Sequence, residues 1–166
     1  MTIREFEIHF RNLYLPLGMY ALRIVGDADE AEDAVQNAFM KAWQSAEAGA
    51  AIDNFKAFIY RTLRNECIST LRARKPTVGI DMIPEADEEA VDTSERDARI
   101  WRAIDGLPEA CRRVFLLSKR DGLGNQEIAD ELGISVKTVK NQLTKASARL
   151  REALTNGHKP FFLPFL

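Results

Sequence analysis

Apolar residues recur three and four positions apart through most of this chain, and no segment shows the two-residue alternation of a half-buried strand. Only helices can bury such a pattern, so the predicted fold is all-α. The periodicity lapses once. Lys75-Pro76 ends a helix, because proline disfavours helical geometry in the residue before it, and the acidic stretch Thr77 to Thr93 shows little repeat of any kind. The reading is two small helical domains joined by a flexible acidic linker.

In the first part, Phe6, Phe10 and Leu13 share a helical face, Pro16 suits the first turn of a new helix, and Leu17, Ala21 and Ile24 continue to Gly26. Two short consecutive helices are expected there. Asp27 with Glu30 resembles a capping box ahead of Ala31, Ala34, Val35, Ala38, Phe39 and Ala42, a face that ends near Trp43. Gln44 to Ile52 is expected to be a loop. Asp53 or Asn54 then caps a helix whose members Phe55, Phe58, Ile59, Leu63 and Cys67 face inward, with Arg61, Arg64, Asn65, Arg72 and Lys75 on the opposite arc. Past the tether, Ile100, Ile104 and Leu107 predict another helix, and Pro108 opens the next, with Val114, Phe115 and Leu117 inside as far as Gly122.

Charge follows the same divisions. The 23 basic and 25 acidic residues nearly cancel, but the signs are segregated. Gly26 to Asp53 carries seven acids against Lys41, and Phe55 to Lys75 carries six cations against Glu66. Pro76 to Asp97 carries eight acids against Arg96, whereas Ser135 to Arg151 carries five cations and no acid. Two basic blocks on either side of an acidic one suit a chain that touches a polyanion in two places.

The most informative stretch is Asn125 to Leu150. Ile128, Ala129 and Leu132 form the inner side of a short helix, Gly133 supplies the turn, Ile134 plugs the core and Ser135 caps a second helix. That helix places Val136, Val139, Leu143, Ala146 and Leu150 inward and leaves Lys137, Lys140, Asn141, Thr144 and Lys145 outward. This is the layout of a helix-turn-helix, whose second helix enters the major groove. Lysines neutralise phosphates there, and amide and hydroxyl groups meet base edges.

Other chemistries find no support. Cys67, Cys111, His9 and His158 are scattered without metal-ligand spacing, and glycine-rich phosphate loops and the Gly-x-Ser-x-Gly elbow are missing. No enzyme, metal site or cofactor is expected. No stretch approaches the ~20 apolar residues of a membrane span, so the protein is expected to be soluble and cytoplasmic. The tail, His158 to Leu166, is apolar without a readable role: it packs on a lobe, stays mobile or meets a partner.

Taken with Gly26–Trp43 (GDADEAEDAVQNAFMKAW), Phe55–Lys75 (FKAFIYRTLRNECISTLRARK) and Leu107–Glu152, the chain resembles a bacterial RNA polymerase sigma factor of the extracytoplasmic-function type, in the sigma-70 family. The resemblance implies region two over residues 1–75, an acidic linker over 76–97, region four over 98–157, and the tail 158–166. It implies docking on the β′ clamp of core RNA polymerase through Asp33, Gln36, Asn37 and Met40, and on the β flap through region four.

It further implies that the loop Gln44 to Asn54, with Lys56, Tyr60, Arg61, Arg64 and Asn65, reads the promoter element near minus ten and captures an extruded base. Two readings of Tyr60 stand, contact with DNA or a place on the rim of the core. The element near minus thirty-five falls to Lys137, Thr138, Lys140, Asn141, Thr144 and Lys145. Arg112 and Arg113 either add phosphate contacts or pair with Glu109 or Asp121. The linker either threads the polymerase as an RNA-like polyanion or is a solvated spacer. Gly124 stands where many members have Ser or Thr as a cap, which would move the helix start to Asn125. An anti-sigma partner that covers the polymerase-binding surface is implied by the resemblance alone. A stand-alone helix-turn-helix regulator and an adaptor that binds only protein are the competing readings.

Overall fold

A computed structural model describes residues 1–77, 79–83 and 85–155 of the chain. Among the described residues there are seven α-helices, one 3-10 turn at Ile80–Met82 and no strand. The helices are α1 (Ile3–Val25), α2 (Ala28–Glu47), α3 (Phe55–Arg74), α4 (Glu88–Asp105), α5 (Glu109–Lys119), α6 (Asn125–Leu132) and α7 (Val136–Thr155). The chain divides into two compact units, Met1–Ala98 and the residues from Arg99 onward.

In the first unit α1, α2 and α3 pack on one another around Leu17, Ala21, Val35, Ala38, Ile59 and Leu63. Their ends are set locally. Thr2 and Glu5 form a reciprocal capping box, Thr2 Oγ1 accepting from the Glu5 amide at 3.2 Å and Glu5 Oε2 from the Thr2 amide at 2.7 Å. Gly26 ends α1 at φ 75°, a left-handed conformation that glycine adopts without steric cost. Asp27 caps α2 by accepting from the Glu30 amide at 2.9 Å, and Asn54 caps α3 by accepting from the Ala57 amide at 3.0 Å. Arg74 ties α3 back to α1, donating to the Val25 carbonyl at 2.7 Å and pairing with Glu30 at 3.2 Å. One cation of the basic run therefore serves the fold.

Three expectations are corrected here. Ile3–Val25 is one helix, not two: Pro16 sits inside it and is buried beside Leu13 and Leu17. The missing N–H of Pro16 costs one helical hydrogen bond, and the continuous apolar face packed on α2 and α3 outweighs that loss. The loop expected from Gln44 begins only after Glu47: α2 runs on to that residue, and Gly49 turns at φ 84°.

The third correction concerns the acidic tether. Its latter part is helical, α4 starting at Glu88 with Asp87 Oδ1 accepting from the Ala90 amide at 2.9 Å. Ala86, Ala90 and Val91 pack on the first unit's core, and Ser94 and Ala98 are fully buried. Ala86, Ala90, Ser94 and Ala98 are spaced by four, so one edge of the segment is made of small side chains that allow close approach. Apolar bulk, the usual mark of a buried face, is nearly missing from it.

In the second unit α5 lies against both α6 and α7. Cys111 and Phe115 join Ile104, Leu107, Ala146 and Leu150 in one cluster, while Val114 joins Ile128, Ala129 and Val139 in another. Gly133, at φ 65°, makes the turn between α6 and α7. Ser135 Oγ accepts from the Thr138 amide at 3.1 Å and caps α7, as expected. Gly124 keeps the cap position of α6 without a side-chain bond, and Asn125 is the first helical residue.

Candidate nucleic-acid interface

The predicted site residues fall on three surfaces. On α2, burial of Ala34, Val35, Ala38 and Phe39 fixes the rotation of the helix and leaves Asp33, Gln36, Asn37 and Met40 exposed as one stripe. Met40, 54% exposed, is the large apolar member of an otherwise polar row. Glu32 Oε1 accepts from the Gln36 amide at 3.4 Å and from the Tyr14 hydroxyl at 3.2 Å, so α1 helps to orient the stripe. Burial pushes the Tyr14 phenol above its ordinary range. The Phe10 ring, 38% exposed, lies tilted against Phe39 at 4.7 Å and against Tyr14 at 5.0 Å. Tyr14, Glu32 and Phe10 were not read from the sequence as part of this surface, because their proximity depends on how α1 crosses α2.

On α3, Arg61 and Asn65 are exposed, Lys56 is partly so, and Arg64 is largely covered, with its side chain 12% exposed. Tyr60 is not on this face. It is fully buried, 5.4 Å from the Tyr20 ring, and its hydroxyl lies 2.6 Å from Ser94 Oγ. Of the two readings of Tyr60, the structure places it in the core. Lys56 pairs with Glu95, and Arg64 donates to Glu85 Oε1 at 3.1 Å and to the Ile83 carbonyl at 3.2 Å. An open cleft of about 380 Å³ runs between Arg61, Arg64 and Asn65 on one side and Glu85 to Asp87 on the other. The loop ahead of α3 borders a second cleft of about 510 Å³, lined by Glu5, His9, Ala50, Ile52, Asp53 and Phe55. His9 stacks on Phe55 at 4.3 Å with an 18° interplanar angle. His9 was not a predicted site residue, since only the antiparallel return of α2 and α3 brings the start of α1 to this loop.

On α7, Lys137, Lys140, Asn141, Thr144 and Lys145 are exposed, and Thr138 is half-buried with its hydroxyl 2.9 Å from that of Ser135. Thr144 donates to the Lys140 carbonyl at 3.0 Å, leaving its oxygen free to accept. Among the described residues none of these three lysines stands in an ion pair. Arg112 donates to the Asp105 carbonyl at 3.0 Å, Arg113 is exposed, and Asp121 is held by Arg120 at 2.9 Å. The two basic helices thus differ: α3 meets acids of its own chain, and Lys137, Lys140 and Lys145 of α7 stand in no ion pair among the described residues.

The family described as Sigma-70 region 2 matches residues 10–77, and that described as Sigma-70, region 4 matches residues 97–150. The chain is 32% identical over 148 residues to the ECF RNA polymerase sigma factor SigW of Bacillus subtilis, covering 80% of this chain and 79% of that protein. It is 31% identical over 157 residues to the RNA polymerase sigma-E factor of Streptomyces coelicolor, covering 92% and 87% respectively. A chain of the co-crystal structure of the sigma factor RpoE with the anti-sigma factor NepR from Bartonella quintana is 26% identical. That match covers 94% of this chain and 100% of the other, with a TM-score of 0.38.

Proposed function

The chain belongs to the sigma-70 family as a sigma factor of the extracytoplasmic-function type, which directs RNA polymerase to promoters, and we propose how its surfaces divide that work. Residues 1–75 act as region two. Asp33, Gln36, Asn37 and Met40 dock on the β′ clamp of core polymerase. Exposed Met40 would supply the apolar anchor and the three polar neighbours the register.

The loop Ala48 to Asn54 and the α3 residues Lys56, Arg61, Arg64 and Asn65 hold the minus-ten element. Melting is driven by binding free energy, since capture of an extruded base favours the open strand. The protein adds specificity and catalyses no bond change itself. While Ser94 covers it, Tyr60 serves to pack α3.

Residues 98–157 act as region four, with Lys137, Thr138, Lys140, Asn141, Thr144 and Lys145 on the minus-thirty-five duplex and a contact to the β flap. An anti-sigma factor that covers the α2 stripe would hold the protein inactive, and the work is done in the cytoplasm, at the nucleoid. The observation that carries the reading is the outer face of α7: three lysines that stand in no ion pair among the described residues, on a helix whose other side is locked by Val139, Ala146 and Leu150. Run-off transcription with purified core polymerase on pooled promoter fragments tests it. Discrete new transcripts are expected with this protein and are lost in D33A/Q36A; DNA binding without redirected transcription would leave a stand-alone regulator as the better account.

A further inference from the structure

We infer that the acidic segment Glu85 to Asp97 is a built-in competitor for the minus-ten strand, seated on the basic side of α3 in the free protein and displaced when single-stranded DNA arrives. The inference rests on the proposed role of α3. Its own evidence is the pattern of contacts, because two of the three α3 cations proposed for DNA, Lys56 and Arg64, are engaged by the segment. Glu95 pairs with Lys56 and Glu85 with Arg64, 3.1 Å away. Between these two points the segment is held by the Ser94–Tyr60 hydrogen bond at 2.6 Å and by Ala90 and Val91 on the core. At its far end Asp97 accepts two bonds from Arg23, at 2.6 and 2.9 Å.

Carboxylates spaced along the segment offer α3 what a nucleic-acid backbone offers, anions at hydrogen-bonding distance. A phosphate strand cannot approach Lys56 and Arg64 while the carboxylates hold them, and unpaired acids nearby would repel it. The seat is also poised to open. Ion pairs at the protein surface are individually weak and salt-screened, and apart from Ile83 and Val91 the apolar part of the contact consists of small side chains. A polyanion that contacts several cations at once can therefore exchange for it.

Binding of the full-length protein to a short labelled single strand of mixed sequence, at low salt, tests the idea. Glu85→Gln with Glu95→Gln is expected to tighten binding by roughly tenfold, as two fixed anions leave the proposed site. Glu88→Gln with Glu89→Gln removes the same charge from the same segment without breaking a pair to α3, and is expected to change affinity by less than about threefold. Equal effects of the two double variants would overturn the competitor. In the E85Q/E95Q background, Lys56→Ala and Arg61→Ala should abolish the gain; if they do not, the strand binds elsewhere and the reading of α3 itself fails. Hydrogen exchange on the unsubstituted protein supplies a second readout. Amides of Ala90 to Ala98 should lose protection when the strand is added, and unchanged or increased protection would mean that the segment stays seated.

Discussion

Ser94 Oγ stands between two partners, 2.6 Å from the Tyr60 hydroxyl and 2.8 Å from the Val91 carbonyl to which it donates. With its own proton committed to Val91, Ser94 accepts from Tyr60, and both side chains are fully buried. The order of donation makes the two ends of this bond unequal. Tyr60→Phe removes a donor and leaves Ser94 bonded to Val91, for a loss of at most about 1 kcal/mol. Ser94→Ala leaves the Tyr60 hydroxyl buried without an acceptor, for about 1–3 kcal/mol. Urea unfolding should therefore rank S94A as the more damaging; the reverse order would mean that the proton runs the other way.

The same burial sets a limit on the alkaline side. It pushes the Tyr60 phenol from 10.0 up to about 12 and the Cys67 thiol from 9.0 up to about 12. Both groups keep their protons in the folded state at pH values where the unfolded chain releases them. Their contribution is thus complete below pH 9 and is lost as pH rises toward 12. Each group steepens the fall by at most about 1.4 kcal/mol per pH unit in that window. Denaturation midpoints measured from pH 8 to 11 should drop more steeply above pH 9 in the unsubstituted protein than in C67A. Parallel curves would show that Cys67 does not titrate with unfolding.

What was legible beforehand was local. The inner faces of α2 and α7 repeat with bulky apolar residues at helical spacing, so the exposed residues of both helices followed directly. Lys137 to Lys145 and the Asp33–Met40 stripe lie where a helical wheel puts them. Tyr60 and the tether were not legible in that way. Position 60 lies at the edge of the α3 apolar arc, and what buries it is Ser94, thirty-four residues on, in a segment that reads as acidic and featureless. The available signal was the four-residue spacing of Ala86, Ala90, Ser94 and Ala98, which a search for large apolar residues passes over. Pro16 misled for the opposite reason: its local preference is strong, and tertiary packing overrode it.

Two glycines separate backbone strain from space. A Cβ added at Gly133 meets nothing within 4 Å, so Gly133→Ala would suffer only from its φ of 65°, at about 1 kcal/mol or slightly more. Gly18, inside α1, also has open space around it, and its backbone is helical. Gly18→Ala should stabilise the first unit by about 0.5–1 kcal/mol. Thermal unfolding should move in opposite directions for the two variants. Gly133→Asn should recover most of the loss, since asparagine tolerates the left-handed region; failure to recover would point to a requirement other than conformation.

On α7 the exposed residues should separate by chemistry. Lys140 and Lys145 can meet phosphates as point charges, whereas Asn141 carries a paired donor and acceptor suited to a base edge. Alanine at either lysine should weaken binding to all duplexes alike and lower the slope of log affinity against log salt by about one. Asn141→Ala should leave that slope unchanged and cost about 1–3 kcal/mol on the preferred sequence only. The comparison requires promoter duplexes selected with the polymerase holoenzyme, titrated over a range of salt with single base-pair substitutions in the minus-thirty-five element. A uniform loss for N141A across those duplexes would place Asn141 on the backbone. Base reading on α7 would then fall to Thr144, whose hydroxyl oxygen retains accepting capacity while its proton is held by the Lys140 carbonyl.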